Sequence, residues 1–143
     1  MTETTQTTQT IESPPADMTF RVTAKEDAAI APGRRDFFEY RDFAIEEVSN
    51  GYMRVTSYSA KQAMNTATGW HYHTCGAQLI YIIKGWAEVG FEDGNVRRMP
   101  AGTVIFLPGG SVHNEMRMSE DWEALEVVVP GPMGTVACEA PEV

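Results

Sequence analysis

Three histidines are the residues of this sequence best suited to chemistry. They are the only histidines in the chain, His71, His73 and His113. His71 and His73 are two residues apart in a segment with strand character, so both side chains point to the same face of that strand. Divalent first-row transition metals accept neutral imidazole nitrogen as a ligand. If the fold brings His113 to the other two, the three rings therefore predict a nitrogen-rich metal site.

Short strands separated by turn residues must position these histidines. Apolar runs and alternating segments follow one another after residue 35, and clusters of Gly, Pro, Asn and Asp separate them. This pattern is typical of an all-β sandwich or barrel. The predicted strands are residues 37–48 (one or two strands), 52–58, 70–73, 78–84, 86–91, 96–99, 103–107, 112–116 and 123–129.

The chain of 143 residues is long enough for one domain with its own core. Residues 1–18 are rich in Thr and Gln and predict a disordered or loosely attached N-terminal tail. The barrel is expected over residues 19–130, since a Pro-Gly-Pro sequence ends the last strand. Residues 131–143 show little pattern and are expected to form a C-terminal surface tail.

Composition argues against several partners. Eleven Lys and Arg face twenty Asp and Glu, and the net charge is -9. Nucleic acids and anionic membranes both require a basic face, so neither is an expected partner. The longest apolar run, residues 79–83, is too short to span a bilayer. Two cysteines and no secretory-signal pattern make a reducing cytoplasm the expected location.

The spacing around the histidines resembles the two motifs of the cupin superfamily. The first stretch reads Asn65, five residues, His71-Tyr72-His73, four residues, Gln78, six residues, Gly85. The second reads Gly102, five residues, Pro108-Gly109-Gly110, two residues, His113, three residues, Arg117. The resemblance implies a double-stranded β-helix (jelly-roll) barrel and a homodimer. It also implies a divalent transition metal as cofactor, with iron preferred and manganese, nickel or zinc as alternatives.

Three positions depart from the cupin motifs. Asn65 replaces a glycine, which matters little because Asn tolerates left-handed backbone. Arg117 replaces an asparagine. Gln78 replaces a glutamate ligand, and it is either a neutral oxygen ligand or a residue that only hydrogen-bonds near the metal. In both cases the motifs supply no protein anion, so we expect an anionic, oxygen-chelating small molecule as substrate.

Three further side chains are candidate substrate-binding residues. Arg117 follows His113 by four residues, so on a continuous strand it points inward and is suited to holding a carboxylate. The alternative is that the strand has ended and Arg117 is solvated or paired with Glu115. Arg54 and Tyr58 lie on a predicted strand that is suited to line the cavity, but alternation does not decide which face is inside.

The resemblance implies a metalloenzyme acting on a small chelating molecule. The three-histidine site is similar to that of cupin dioxygenases, which use Fe(II) and O2. A non-redox isomerase, lyase or cyclase with the ion as Lewis acid is the alternative, because the pattern also resembles small cupins that linearise unsaturated uronates. A cupin that binds a ligand without turnover is the third hypothesis.

Overall fold

The structure, a computed structural model, describes residues 17–142, which form two antiparallel β-sheets and little else. A 3-10 turn spans Lys25–Asp27, and the one α-helix in this part of the chain, α1, spans Ile45–Val48. The strands are β1 Ala29–Ala31, β2 Phe38–Asp42, β3 Arg54–Ala60, β4 His71–His73, β5 Ala77–Lys84, β6 Trp86–Phe91, β7 Val96–Pro100, β8 Val104–Pro108, β9 His113–Met118, β10 Glu123–Val129 and β11 Thr135–Ala137.

The strand order shows a jelly roll. One sheet has six strands in the order β1-β2-β3-β10-β5-β8, and the other has five in the order β11-β4-β9-β6-β7. Strands adjacent in a sheet are mostly distant in sequence, as in the pairing of β10 with both β3 and β5. This two-sheet antiparallel architecture confirms the predicted all-β, double-stranded β-helix class.

Apolar side chains from both sheets meet between them and form the core. On β5 the alternation is clear, since Ile80 and Ile82 are buried while Leu79, Tyr81 and Ile83 are exposed. Successive side chains of a strand point to opposite faces, so one face of β5 supplies the core. The core residues are Phe38, Tyr58, Met64, Ile80, Ile82, Ala87, Val89, Met99, Met118, Trp122 and Ala124.

The segment after residue 130, expected to be a surface tail, contains strand β11. Thr135 pairs with His73 and Ala137 with His71, which places β11 at the edge of the five-stranded sheet. Its side chains are all exposed, so the strand is held by backbone pairing rather than by burial. Residues 1–16 of the expected N-terminal tail lie outside the described residues.

Near the N-terminal end the structure also differs from the expected strands. Residues 45–48, predicted to continue a strand, form α1 after Ala44 adopts a left-handed conformation with φ of 59°. That helix has four residues, and no helix within residues 17–142 has the length and hydropathy needed to cross a membrane.

The outer face of β5 and β8 carries exposed apolar side chains. Leu79 pairs with Phe106 and Tyr81 with Val104, so these four side chains are neighbours on one face. Contiguous apolar patches on a protein surface are typical of interaction sites. The homodimer implied by the sequence resemblance stays a prediction.

Candidate metal centre

The structure brings all three histidines together on one face of the five-stranded sheet. His71 on β4 pairs directly with His113 on β9, and His73 follows on the same face of β4. Each is 3 % exposed or less. Their ligand nitrogens all lie within 4.8 Å of one another, and no other such cluster of His, Cys, Asp or Glu occurs in the described residues.

The turn before β9 positions His113 against the end of β4. Gly110 donates its backbone N–H to the carbonyl of His73 at 3.0 Å, with φ of +84°. At Gly109 a Cβ atom would lie 1.6 Å from the carbonyl oxygen of Cys75, so only glycine fits there. The two histidine-bearing segments therefore pack backbone against backbone, which explains the glycines that the sequence places before His113.

Hydrogen bonds at Nδ1 fix the direction of each ring. His71 and His113 each donate Nδ1–H to the carbonyl oxygen two residues earlier in the chain, at 2.7 and 3.0 Å. His73 Nδ1 lies 3.1 Å from the hydroxyl of Thr135 on β11. A partner at Nδ1 selects the tautomer and leaves Nε2 available as a metal ligand.

The inward atoms of this cluster have no partner in the described part of the chain. Nε2 of His71, Nε2 of His73 and Oε1 of Gln78 are buried without a hydrogen bond. Leaving a buried polar atom unsatisfied costs roughly 1–3 kcal/mol. Two imidazole nitrogens and an amide oxygen are donors that a divalent transition metal accepts. The residues present therefore fit the ion that the motifs imply.

Burial keeps two of the imidazoles neutral. It lowers the pKa of His73 to about 3, with a further contribution from the charge of Arg34, and it also lowers the pKa of His113. For His71 burial acts in the same direction, but the neighbouring Glu115 carboxylate outweighs it and the pKa rises. His73 and His113 thus present neutral nitrogen at neutral pH, the form that binds metal.

A carboxylate that was not among the predicted site residues, that of Glu115, lies beside the histidines. Glu115 Oε2 is 3.2 Å from His71 Nε2, and its Oε1 is 3.7 Å from His113 Nε2. The first contact does not have hydrogen-bond geometry, so His71 Nε2 still counts as unpartnered. Burial acts to raise the pKa of Glu115, but the histidines and the Thr68 hydroxyl hold it well below its usual range. Glu115 follows His113 by two residues, and this even spacing on a strand indicates that both side chains lie on the same face.

The structure does not bring Arg117 to the histidines. Glu88 and Val89 are consecutive on β6 and pair with Arg117 and Glu115, which are two residues apart on β9. Strand β9 therefore has a bulge between Glu115 and Arg117. The bulge reverses the alternation and turns Arg117 outward, where its guanidinium lies 5.6 Å from the ring of Trp86 and 4.0 Å from Glu88.

Gln78 lies inside the barrel on β5, on the opposite sheet from the histidines. Its side-chain Nε2 donates to Glu126 Oε2 at 2.6 Å, which leaves Oε1 as the free end of the amide. Glu126 in turn lies 3.8 Å from Arg54. Gln78 and Glu115 line the same small internal cavity of about 20 Å³. A ligand role for Gln78 stays a prediction.

The other two candidate residues lie at different depths. Tyr58 is buried, lines the internal cavity shared by Gln78 and Glu115, and has its pKa raised well above the usual value by burial. Arg54 lines a larger cavity of about 580 Å³ that opens to solvent. Glu126 and Thr135 also line this larger cavity, so it borders the residues that hold Gln78 and His73.

Comparison with known proteins identifies one matching family model. A family model described as an AraC-like ligand binding domain matches residues 55–125, which contain both histidine-bearing segments. No curated protein sequence matches the chain.

Solved structures give the same fold at low identity. The polyketide cyclase RemF from Streptomyces resistomycificus is 19 % identical, with a TM-score of 0.63 over 86 % of this chain and 90 % of that one. KdgF from Halomonas sp. is 16 % identical, with a TM-score of 0.64 over 78 % and 94 %. Oxalate decarboxylase from Bacillus subtilis is 20 % identical with a TM-score of 0.59, but the match covers 87 % of this chain and only 34 % of the decarboxylase.

A double-stranded β-helix protein from Klebsiella pneumoniae has a TM-score of 0.61 and is 20 % identical over 85 % of this chain and 99 % of its own. At such identities the likeness concerns the fold. Together with the family model and the histidine-bearing motifs, it shows that this chain is a member of the cupin superfamily.

Proposed function

We propose that this cupin is a metal-dependent enzyme that acts on a small, oxygen-rich organic molecule without net oxidation or reduction. The observation that carries the proposal is the set of buried imidazoles whose Nδ1 atoms are held by hydrogen bonds while the Nε2 atoms of His71 and His73 have no partner. In this proposal His71, His73 and His113 hold a divalent transition metal. When bound, the ion supplies Lewis-acid polarisation of a substrate oxygen.

The cavity beside the centre is suited to a small-molecule substrate. Its volume is about 580 Å³, within the usual range for ligand pockets. Its wall includes Thr135, the hydroxyl partner of His73, and Glu126, the carboxylate partner of Gln78. The histidines themselves do not line this cavity, so we place the substrate next to the residues that hold His73 and Gln78.

Arginines in the same wall favour an anionic group on the substrate. The Arg54 guanidinium lies 3.8 Å from the carboxylate of Glu126 and forms an ion pair with it. Arg34 lines both the open cavity and the internal one, and it makes no ion pair or side-chain hydrogen bond within residues 17–142. Arg is well suited to bind carboxylates through two parallel hydrogen bonds. We therefore assign Arg34, with Arg54, to recognition of a substrate carboxylate or enolate.

The barrel interior behind the histidines is small and mostly apolar. Apolar side chains from both sheets line a second internal cavity of about 20 Å³ next to His113 and Glu115, and its apolar members include Ile80, Val89, Phe91, Ile105 and Leu107. An apolar wall lowers the local dielectric constant and so strengthens electrostatic interactions with a bound substrate. The near full-length likeness to a polyketide cyclase supports non-redox chemistry in such a site.

A dioxygenase is the second candidate. Three imidazoles, two of them with pKa values lowered by burial, are similar to the three-histidine centre of cupin dioxygenases that use Fe(II) and O2. The partly buried carboxylate of Glu115 beside this cluster adds an anion that three histidines alone do not supply. For that reason we rank the non-redox reaction first.

Removal of a histidine should remove the metal and leave the barrel folded. We expect His71→Ala or His113→Ala to lose most bound metal, because either change deletes one of three ligands, while the apolar core between the sheets is unchanged. Metal content by mass spectrometry and far-UV circular dichroism would test this. Tyr72→Ala is the matched control, since Tyr72 lies between the two histidines of β4 and points to the other face. Full metal content in His113→Ala would contradict the proposed centre.

Gln78→Ala should weaken metal binding less than loss of a histidine. An amide oxygen is a weaker donor than imidazole, so we expect a loss of roughly tenfold in Zn²⁺ affinity, comparable to outer-shell changes at metal sites. Titration with Zn²⁺ in the presence of a chelating dye measures the affinity. Gln62→Ala, at an exposed glutamine in the loop before β4, is the control. Unchanged affinity in Gln78→Ala would remove Gln78 from the ligand set.

Metal identity and oxygen consumption separate the two candidate reactions. Protein purified without added metal should carry zinc, nickel or manganese rather than iron. Protein loaded with Fe(II) should consume no oxygen above background with a panel of thiols, diketones and hydroxyketones, while product analysis of the same panel should detect isomerised, cyclised or cleaved products. Stoichiometric oxygen uptake with any member would instead establish the dioxygenase.

Arg34→Gln should weaken binding of a small dicarboxylate to the metal-loaded protein. Loss of one charge-assisted hydrogen bond costs roughly 1.5–3 kcal/mol, which corresponds to a loss of about 10- to 100-fold in oxalate affinity by calorimetry. Arg97→Gln is the control, because Arg97 is exposed and already paired with Asp93. Equal oxalate affinities of the Arg34→Gln variant and the wild type would exclude Arg34 from the binding site.

A further inference from the structure

The carboxylate of Glu115 lies where a fourth ligand of the proposed metal ion would lie. Protein nitrogen and oxygen ligands bind zinc at roughly 2.0–2.2 Å, so neighbouring ligands of one ion are about 3.0–3.5 Å apart. The two Glu115 oxygens are 3.2 Å from His71 Nε2 and 3.7 Å from His113 Nε2. These separations are those of adjacent ligands around a common ion, to within a few tenths of an ångström.

Thr68 holds this carboxylate in place. The hydroxyl of Thr68 donates to Glu115 Oε2 at 2.7 Å, and the backbone N–H of Glu115 lies 3.2 Å from the same hydroxyl oxygen. The backbone N–H of Thr68 donates to the carbonyl of Glu115 at 2.9 Å. These contacts hold both the backbone and the side-chain carboxylate of Glu115 against Thr68. Glu115 is therefore fixed in the same way as the histidines, each of which has its own partner away from the centre.

The negative charge of Glu115 has no cationic partner other than the histidines. Within the described residues, no Lys or Arg nitrogen lies within 4.0 Å of its carboxylate, and Oε1 accepts no hydrogen bond. The side chain is 17 % exposed. A carboxylate removed from water needs a cation or several hydrogen bonds to offset its desolvation. The Thr68 hydroxyl supplies one hydrogen bond, and a divalent ion held by the histidines would supply the cation.

We propose that Glu115 is the anionic ligand of the metal centre, a role that the neutral amide of Gln78 cannot fill. The inference rests on the metal centre of the proposed function. The three histidines and Glu115 would come from two paired strands of one sheet, β4 and β9, and Gln78 and the substrate would approach the ion from the opposite side. The centre would carry one positive charge rather than the two expected from the motifs.

Glu115→Gln tests this assignment with metal binding alone. The variant keeps the size of the side chain and its contact with Thr68 but removes the anion. We expect Co²⁺ affinity to fall by roughly 100-fold, at the upper end of the range of about 10- to 100-fold for outer-shell changes, so the spectrum of the bound ion decides between the two roles. The visible d–d absorption of bound Co²⁺, which depends on ligand number and type, should change as well. Glu123→Gln is the control, because Glu123 pairs with Lys25 and Ser59 away from the centre.

The outcomes separate this inference from the proposed function. Wild-type affinity in Glu115→Gln to within tenfold, or an unchanged Co²⁺ spectrum, would overturn the assignment while leaving a three-histidine centre intact. Failure of the wild-type protein to bind Co²⁺ or Zn²⁺ would overturn the metal centre and this inference together, and would leave an ion pair between His71 and Glu115. If Glu115→Gln does not fold, Glu115→Asp replaces it. That variant should also show weaker Co²⁺ binding and a changed spectrum, and identity with the wild type in both would overturn the assignment.

Discussion

The hydrogen bonds at the three histidine Nδ1 atoms are the constraint on which this site depends. Without them the rings would turn, and their Nε2 atoms would find partners elsewhere. Each bond comes from a different piece of backbone or strand: the turns before His71 and His113, and Thr135 on β11. Holding two buried Nε2 atoms unpartnered costs roughly 1–3 kcal/mol each, so the apolar core must offset that cost until an ion or substrate arrives.

The distribution of buried charge explains why position 78 carries an amide. Gln78 Nε2 donates to Glu126 at 2.6 Å. A glutamate in the same place would bring two carboxylates into contact, and two like charges at that distance cannot both ionise readily. Glu126 is instead compensated by Arg54 and by the amide. The interior thus has one carboxylate on each sheet, Glu126 and Glu115, at opposite sides of the internal cavity.

Local alternation predicted the all-β class and placed His71 and His73 on one strand face. The jelly roll and the approach of His113 to that pair came from the resemblance to the cupin motifs, and the structure does bring the three rings together. Arg117 could not be placed in this way, because a bulge in β9 depends on its pairing with β6. The position of Thr135 could not be predicted either. Strand β11 has three exposed residues and is held by backbone pairing, so its sequence carries no alternating pattern of burial.

The bulge in β9 also decides which cations can reach a substrate. It keeps Glu115 beside the histidines and turns Arg117 outward to the ring of Trp86, where a cation–π contact replaces any role in the site. The cations left at the open cavity, Arg34 and Arg54, belong to the six-stranded sheet and its connections. In the proposed site, metal ligands therefore come from one sheet and anion recognition from the other. A substrate held by both must bridge the two sheets, which favours a molecule with a chelating group at one end and an acidic group at the other.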